Sequence, residues 1–461
     1  MNALPGSAEI DRFAAVLTER MGMQFSEARY DDLGRALQRR AQAQGLAYPT
    51  YLDRLDGTLG RSELAQLARE LTIGETYFLR NMEQFQALFD SVVPELAGRQ
   101  GPLQILSAGC ASGEEAYSIA ILLRERFPDL PVQINAFDLN PAVLQKAERG
   151  LYGNWSLRVC PDATRARWFR ATGDLVELDP SIRSMVRFEQ RNLAEPAPAF
   201  WLEDRFDVIF CGNVLMYFSA AQAQAAVARL AHSLRPDGYL FLGHAETLRG
   251  LSNAFHLCHT HDAFYYQRKH HGDEGRLEHA EAPWDDPPAL GLSGDTSWFE
   301  AIRQASARVH ALASTDTATV AMPQDRDDDD TLLLKAINAS HDGKLDEAEA
   351  LCRTLLASDD MSAGAHYVLA LCREGRGRHE DAFEHDRISA YLDPGFAMPR
   401  LHMGLSLRRA GQRSAAREEL ETAATLLQLE DPARVLLFGG GFQRDALIAL
   451  CRAELSALEN A

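Results

Sequence analysis

The stretch LQILSAGCASGEEAYSIA, residues 103–120, joins an apolar run to a helical pattern through a loop that contains two glycines. Residues 103–108 are mostly apolar, as in a buried strand, and residues 115–125 have helical spacing. Glycines in such a loop let the backbone turn tightly and approach a ligand, and the next helix begins with unpaired N–H groups. Taken alone, the loop fits a nucleoside cofactor, a dinucleotide or a plain strand-to-helix turn.

Further short apolar runs follow the loop, several of them separated by helical stretches. They cover residues 132–138, 186–190, 206–211 and 239–243. Alternating strands and helices predict a mostly parallel α/β sheet. Residues 254–267 alternate around His261 and Asp262, which predicts two closing strands.

Polar side chains stand where these predicted strands end, at the edge where open α/β sheets bind ligands. Asp138 ends the second strand and could accept hydrogen bonds from ribose hydroxyls. Asn192, followed by Leu193, could meet an adenine edge or could simply be a turn asparagine. Asn213 and Tyr217 follow the fourth strand, where Tyr217 could also be a half-buried packing residue.

Composition divides the rest of the chain. In the first part of the chain the apolar residues have helical spacing, with few β-branched runs. The segment after residue 269 is polar and contains prolines and four consecutive aspartates, which suits a flexible linker. A short helix is predicted within it, near residues 298–312. The predicted domains are a helical domain (1–89), a sheet domain (90–269, with an insertion at about 151–185), an acidic linker (270–330) and a C-terminal helical domain (331–461).

The C-terminal part contains an internal repeat. Four columns of small or apolar residues recur every 34 positions, and they are Gly343, Gly377 and Gly411; Ala348, Ala382 and Ala416; Ile337, Leu371 and Leu405; and Ala336, Ala370 and Gly404. This period predicts tetratricopeptide repeats, in which small side chains let paired helices pack closely. Generic antiparallel helices are the alternative. A repeat module of this kind predicts a protein partner of unknown identity.

Charge and cysteine content narrow the function. The formal net charge of −19 disfavours attraction to nucleic acid or to an anionic membrane. Seven scattered cysteines, none in a CxxC pair, indicate reduced thiols. The sequence shows neither a leader nor an apolar stretch long enough to span a membrane, which predicts a cytoplasmic protein without membrane insertion. Cys258, His259 and His261 lack a fourth ligand at usable spacing, so no metal site is expected. Gly439, Gly440 and Gly441 predict a loop between helices.

Two longer motifs carry a family resemblance. The two motifs are SAGCASGEEAYS (107–118) and LTIGETYFLR (71–80). Further support comes from FDVIFC, which leads to Asn213 and Tyr217, and from GHAE at 243–246. The chain resembles the CheR-type chemoreceptor glutamate methyltransferases over roughly residues 10–268. The resemblance implies a Rossmann-like class I fold with a mixed seven-stranded sheet, and S-adenosylmethionine as the methyl donor, leaving S-adenosylhomocysteine. It also implies methyl esterification of glutamates on a helical methyl-accepting receptor for chemosensory adaptation. Family members with C-terminal tetratricopeptide repeats exist, some in surface-sensing and biofilm pathways.

The resemblance also assigns residues. The positions that match the cofactor pocket of the family are Thr76, Arg80, Ala108, Gly109, Glu114, Asp138, Asn192, Leu193 and Asn213. Arg80 and Tyr217 match two residues held important for methyl transfer. Gly74 and Gly212 stand where many members have asparagine and arginine, so a cofactor contact there is either missing or made by backbone.

The chemistry suits these residues. A glutamate carboxylate, with an ordinary pKa of about 4.3, is already ionised at neutral pH and needs no general base. Alignment is then the main task, and it can contribute on the order of 7 to 11 kcal/mol. The planar guanidinium of Arg80 could hold the carboxylate while Tyr217 donates a hydrogen bond nearby.

Receptor recognition is predicted from a basic helix and from the insertion. Arg35, Arg39 and Arg40 cluster on a predicted helix, with Arg35 and Arg39 on one face, and could attract a glutamate-rich receptor helix or simply be solvated. The short turn near residues 171–174 resembles members that need no receptor tether. The rival functions are methylation of nucleic acid or a small molecule, and a protein-binding scaffold with an inactive methyltransferase domain.

Overall fold

A computed structural model describes residues 4–26, 29–57, 60–72, 74–99, 101–244, 246–270, 298–299, 302 and 329–460. The chain forms two compact units, Met1–Glu246 with Gly250–His271, and Thr247–Arg249 with Gly272–Ala461. The helix predicted at residues 298–312 is described at Trp298, Phe299 and Ile302, all helical. The rest of that helix and most of the predicted linker lie outside the described residues.

The first unit begins with four helices, α1 (Ser7–Met21), α2 (Tyr30–Ala43), α3 (Tyr48–Asp56) and α4 (Gly60–Leu71). Each carries an apolar stripe, and in α1 the buried residues Phe13, Val16 and Leu17 follow the i, i+3, i+4 spacing that places them on one face. The stripes meet in one core whose fully buried members lie between Phe13 and Leu71.

The next helical segment belongs to the sheet and not to this helical core. α5 (Met82–Ala87) continues through a π-helical turn (Leu88–Val92) into α6 (Val93–Leu96), and its apolar residues share one core with the sheet. The change between the two cores therefore falls between Leu71 and Phe78, earlier than the predicted boundary at residue 89. A helix that covers a sheet has the same apolar period as one in a bundle, so the sequence pattern does not distinguish them.

The strands, in chain order, are β1 (Leu103–Ala108), β2 (Val132–Asp138), β3 (Leu151–Tyr152), β4 (Phe169–Thr172), β5 (Leu175–Leu178), β6 (Val186–Gln190), β7 (Phe206–Cys211), β8 (Leu234–Leu242), β9 (Phe255–Thr260) and β10 (Ala263–Arg268). Seven of them form one sheet in the order β6-β2-β1-β7-β8-β10-β9. The first five of these strands run parallel, and β10 and β9 are antiparallel. The predicted mixed seven-stranded sheet is confirmed.

Helices and a small second sheet complete this unit. The helices are α7 (Glu114–Arg126), α8 (Pro141–Arg149), α9 (Asp162–Trp168), α10 (Pro180–Arg183) and α11 (Ala220–Ser233). The insertion between β2 and β6 holds a three-stranded sheet in the order β3-β5-β4. Its hairpin turns through two residues, Gly173 (φ 61°) and Asp174, and the turn is therefore short, as the sequence predicts.

The second unit is helical, with α12 (Asp329–His341), α13 (Leu345–Ser358), α14 (Ala363–Gly375), α15 (His379–Leu392), α16 (Ala397–Arg409), α17 (Arg413–Leu429), α18 (Pro432–Phe438) and α19 (Arg444–Asn460). The repeating glycines at 343, 377 and 411 all have φ 75° in the turn within each helix pair. A Cβ on Gly404 would lie 2.7 Å from Leu420 Cγ, so this small residue is required where α16 meets α17. The tetratricopeptide-like prediction is confirmed.

Candidate active site

The carboxyl ends of β1, β2 and β7 open into a cavity at the point where the strand order reverses, which is where open α/β sheets bind ligands. The cavity encloses about 1230 Å³ of empty space, counted out to its mouth. Most of the predicted pocket residues line it, and these are Gly74, Thr76, Arg80, Gly109, Asp138, Asn192, Leu193, Gly212, Asn213 and Tyr217.

The loop after β1 forms one wall and requires glycine. Gly109 has φ 76°, and a Cβ there would lie 2.4 Å from Val214 Cγ2 across the cavity wall. Ala111 follows with φ 47°, a left-handed conformation that a non-glycine residue rarely adopts. The backbone of this loop therefore forms part of the cavity wall, and the left-handed conformation of Ala111 is energetically unfavourable.

Asp138, at the end of β2, is oriented by two backbone donors. The Ala111 N–H donates to Oδ2 at 2.9 Å, and the Asn140 N–H donates to Oδ1 at 2.8 Å. Burial raises the pKa of Asp138 above its usual value, although these N–H bonds oppose the shift. Each carboxylate oxygen can accept a second hydrogen bond, so the group retains capacity for a ligand's hydroxyls.

Arg80 lies between two strained residues. Leu79 and Asn81 have φ 60° and 59°, and the Leu79 N–H donates to Ser118 Oγ at 2.9 Å, which ties this turn to α7. Left-handed backbone costs on the order of 1–2 kcal/mol for such residues and persists where the surroundings dictate it. The guanidinium also stacks near Tyr77, with its carbon 5.7 Å from the ring centre. This turn therefore fixes where Arg80 enters the cavity.

The loop that carries Asn213 and Tyr217 is held by Glu246. The buried Glu246 carboxylate accepts hydrogen bonds from the backbone N–H groups of Asn213 (2.6 Å), Met216 (3.0 Å) and Gly243 (2.8 Å). A Cβ on Gly243 would lie 2.6 Å from the Asn213 nitrogen, so glycine is needed there. The sequence assigned Glu246 no role, although its GHAE motif was among the signals of resemblance.

The helical domain supplies part of the cavity wall. Met21 and Met23 line the cavity, and the Gln24 N–H donates to the Tyr217 carbonyl at 2.6 Å. The Asn192 side-chain amide donates to the Arg20 carbonyl at 2.8 Å, and its oxygen accepts the Ala194 N–H at 2.9 Å. Asn192 lines the cavity, but its polar atoms already hold the turn and the helical domain together.

Two predicted pocket residues lie elsewhere. Ala108 is buried in β1 and does not line the cavity. Glu114 is fully buried behind the glycine loop, where Ser112 and Ser156 donate to it at 2.7 and 3.1 Å and Lys146 lies 3.5 Å away. Glu114 thus anchors the loop, and the prediction that it faces the cofactor pocket is corrected.

Glu115, the next residue, does line the cavity. Burial raises its pKa to about 7, only partly offset by the hydrogen bond from Ser107 (2.6 Å) and the charge of Arg80, and Glu246 raises it further. Within the described chain no lysine or arginine forms an ion pair with it. A half-buried acid in this state favours a cationic ligand.

The basic helix α2 splits into surface and interior residues. Arg35 pairs with Asp32 at 2.7 Å and Arg39 with Glu70 at 2.8 Å, and both arginine side chains are more than half exposed. Arg40 makes a two-point contact with the buried Glu63, with both N–O distances 2.8 Å, and only 15% of its side chain is exposed. Arg40 therefore belongs to the interior of the helical domain, which corrects its place in the predicted receptor-binding surface.

The cysteine and the histidines near residue 260 lie apart from the cavity wall. Cys258 and His259 lie on β9, where the His259 ring packs 4.4 Å from that of Phe264, and His261 lies in the turn that follows, 3.4 Å from Asp90. In the described ranges no three His, Cys, Asp or Glu side chains converge as metal ligands. Among the helices whose placement is described, none is both long and apolar enough to cross a membrane.

Comparison with known proteins adds four likenesses, one to a family and three to individual proteins. Residues 74–264 match the family described as CheR methyltransferase, SAM binding domain. The chemotaxis protein methyltransferase 2 of Vibrio cholerae is 34% identical over 269 residues, which span 57% of this chain and 93% of that protein. The probable biofilm formation methyltransferase WspC of Pseudomonas aeruginosa is 29% identical over 426 residues, 90% of this chain and 98% of that protein. The WspC protein of Pseudomonas putida is 28% identical with similar coverage.

Proposed function

The chain belongs to the CheR methyltransferase family, and on that premise we propose that it transfers methyl groups to glutamate side chains of a methyl-accepting chemotaxis-type receptor, as a protein-glutamate O-methyltransferase. The observation that carries the proposal is that Arg80, Tyr217 and Asp138 line one cavity at the reversal point of the sheet. The likeness to WspC along most of the chain supports a role in a biofilm-type chemosensory pathway.

The cavity fits the cofactor of the family. S-adenosylmethionine, when bound, supplies a methyl group activated by a sulfonium sulfur. Asp138 retains acceptor capacity for ribose hydroxyls, and Phe137, Leu139 and Val143 offer apolar surface for a base. Glu115 offers an acid that lacks a cation, which suits a positively charged ligand. Gly74 and Gly212, the two departures from the family pattern, also line the cavity, so their backbone groups can contact the cofactor.

Arg80 and Tyr217 are the positioning groups for the substrate. Of the five N–H donors of Arg80, the described residues engage one, which reaches the Glu75 carbonyl at 3.3 Å. The remaining donors suit the two oxygens of a carboxylate, and Tyr217 can donate a further hydrogen bond. Because the substrate carboxylate is already ionised at neutral pH, these residues orient it and no general base is required.

The receptor is proposed to dock through α2. Arg35 and Arg39 present exposed cations that suit a glutamate-rich helical bundle, whereas Arg40 is committed to Glu63. The short hairpin of the insertion supports docking without a tether peptide. A cytoplasmic location, with recruitment to membrane receptor arrays, follows from this substrate.

The test is incubation of the full chain with radiolabelled methyl donor and candidate receptors. Methyl label that is released from the receptor by mild base is the expected result, because esters hydrolyse where N-methyl groups do not. Calorimetric titration with S-adenosylhomocysteine is run beside it. Heat of binding without any base-labile receptor label would reject the glutamate substrate, and no heat at all would favour a scaffold with an inactive domain.

A further inference from the structure

Three side chains from the polar linker are buried in the second unit. Trp298, Phe299 and Ile302 are 3%, 8% and 0% exposed, and we call them the linker triad. All three are helical, and positions i, i+1 and i+4 lie on one side of a helix. Apolar burial on this scale is unexpected in a stretch whose composition suits a linker.

The linker triad occupies a groove between α14 and the turn at residues 439–442. The Trp298 indole N–H donates to the Tyr367 hydroxyl at 3.0 Å, and its ring stacks on Phe442 with centroids 5.9 Å apart. The Phe299 backbone N–H donates to Glu374 Oε2 at 2.8 Å. The groove thus offers a hydroxyl, a carboxylate and an aromatic face to a helical guest.

Two glycines make room for the guest. A Cβ on Gly375, in α14, would lie 2.8 Å from Phe299 Cε1, and a Cβ on Gly440 would lie 2.5 Å from Ile302 Cγ2. Gly375 is the last residue of α14, and its backbone does not have the positive φ that would itself require glycine. The close approach of the Phe299 ring therefore accounts for glycine at this position, and it marks the groove as shaped for this guest.

We propose that this groove is a peptide-binding site for a partner protein, which enters with a helix that carries two adjacent aromatic residues and an aliphatic residue three positions after the second. The linker triad is the internal occupant that such a partner displaces. An internal occupant competes at an effective concentration on the order of millimolar, so the groove admits a partner helix only when that helix binds well.

The test uses the full chain and a fluorescent synthetic peptide of residues 294–306 as a stand-in for the partner helix. In the wild type the groove is filled, so we expect weak binding. In the variant Trp298→Ala/Phe299→Ala/Ile302→Ala the groove is open, and the peptide should bind at least tenfold more tightly by fluorescence anisotropy. A peptide with alanine at both aromatic positions should bind neither protein. Leu429→Ala, at an exposed site of the same unit, should behave as wild type.

Gly375→Ala in the triple-variant background gives the matched steric test, because its methyl group enters the space of the Phe299 ring. Peptide binding should weaken at least tenfold, and unchanged binding would overturn the proposed site. A folded triple variant that binds no better than wild type would also overturn it. If the triple variant does not fold, Phe299→Ala is judged by the same criterion. Wild-type dimers that disappear in the variant would show exchange between two copies instead. None of these measurements needs a methyl donor, so they are independent of the proposed methyl transfer.

Discussion

The repeat domain contains fully buried acidic side chains and the cavity contains partly buried ones, and the charges around the two sets differ. In the repeat domain Glu374 lies 3.0 Å from His402 and 2.6 Å from Arg409, and His402 also lies 2.6 Å from Asp386. In the cavity Glu115 has a hydroxyl partner and no cation in contact among the described residues.

The pKa values follow from that difference. Burial raises the pKa of both Glu115 and Glu374, but His402 and Arg409 reverse the effect and hold the pKa of Glu374 well below its usual value. Burial would lower the pKa of His402, yet the charges of Asp386 and Glu374 hold it above its usual value. Buried acids in contact with cations indicate a structural network, and a partly buried acid without such a contact indicates a place for a charged ligand.

The largest expected effect is on the paired cluster. His402→Leu should leave Asp386 without its cation and destabilise the repeat domain by about 3–5 kcal/mol, because an uncompensated buried charge is costly. Urea unfolding of the full chain, followed by helical circular dichroism, measures the change. Arg378→Ala, which breaks an exposed ion pair with Asp381 in the same unit, should change the free energy of unfolding by less than about 1 kcal/mol. Equal losses in the two variants would remove the distinction.

The next effect concerns the cation that acts on Glu115 from a distance. Arg80→Ala should lower the rate of methyl transfer about 100-fold, as removal of one positioning donor does, while S-adenosylhomocysteine affinity falls much less. Initial rates and calorimetry on the same samples measure both. Arg158→Ala is the matched control, because Arg158 stacks on the same Tyr77 ring at 3.6 Å and does not line the cavity. Comparable losses of rate and affinity in Arg80→Ala would contradict the positioning role.

A smaller effect is expected from pH. Glu115 has a pKa of about 7 in the free protein, so it is ionised above that pH and protonated below it. Affinity for the cationic methyl donor should therefore fall about tenfold from pH 8 to pH 6, since binding must then expel a proton. Calorimetry across this range measures the slope. Glu115→Gln should remove the pH dependence of affinity. Glu75→Gln, at the exposed rim of the cavity, should leave the pH dependence unchanged. If the affinity of the wild type does not change with pH, Glu115 does not face the charge of the ligand.

The smallest effect on stability is expected on α2. Arg39→Ala removes an exposed cation and should change the free energy of unfolding by only about 0.5 kcal/mol, while receptor binding weakens most at low salt. Arg40→Ala should destabilise the helical domain by more than this, because the buried Glu63 would lose its charged partner. Thermal unfolding and receptor binding at two salt concentrations separate the two variants. Similar stability losses would place both arginines in the interior.

The sequence predicted the sheet and the side chains at its edge because strand period and polar strand ends are local signals. It did not distinguish Glu114 from Glu115, since the loop geometry around Gly113, at φ 88°, decides which acid faces the cavity. It grouped Arg40 with Arg39 because the buried partner Glu63 is 23 residues away. The burial of the linker triad depends on groove residues more than 65 positions later, which no local pattern reveals.

The cavity wall is shared by two hydrophobic cores, one in the helical domain and one around the sheet. A ligand that binds in the cavity contacts residues of both cores and therefore stabilises the folded state of both. At a hundredfold excess over its dissociation constant, a ligand adds about 2.7 kcal/mol to the folded state. The thermal stability of this unit then depends on the concentration of methyl donor. At a low concentration of methyl donor the unit would be less stable and more susceptible to proteolysis.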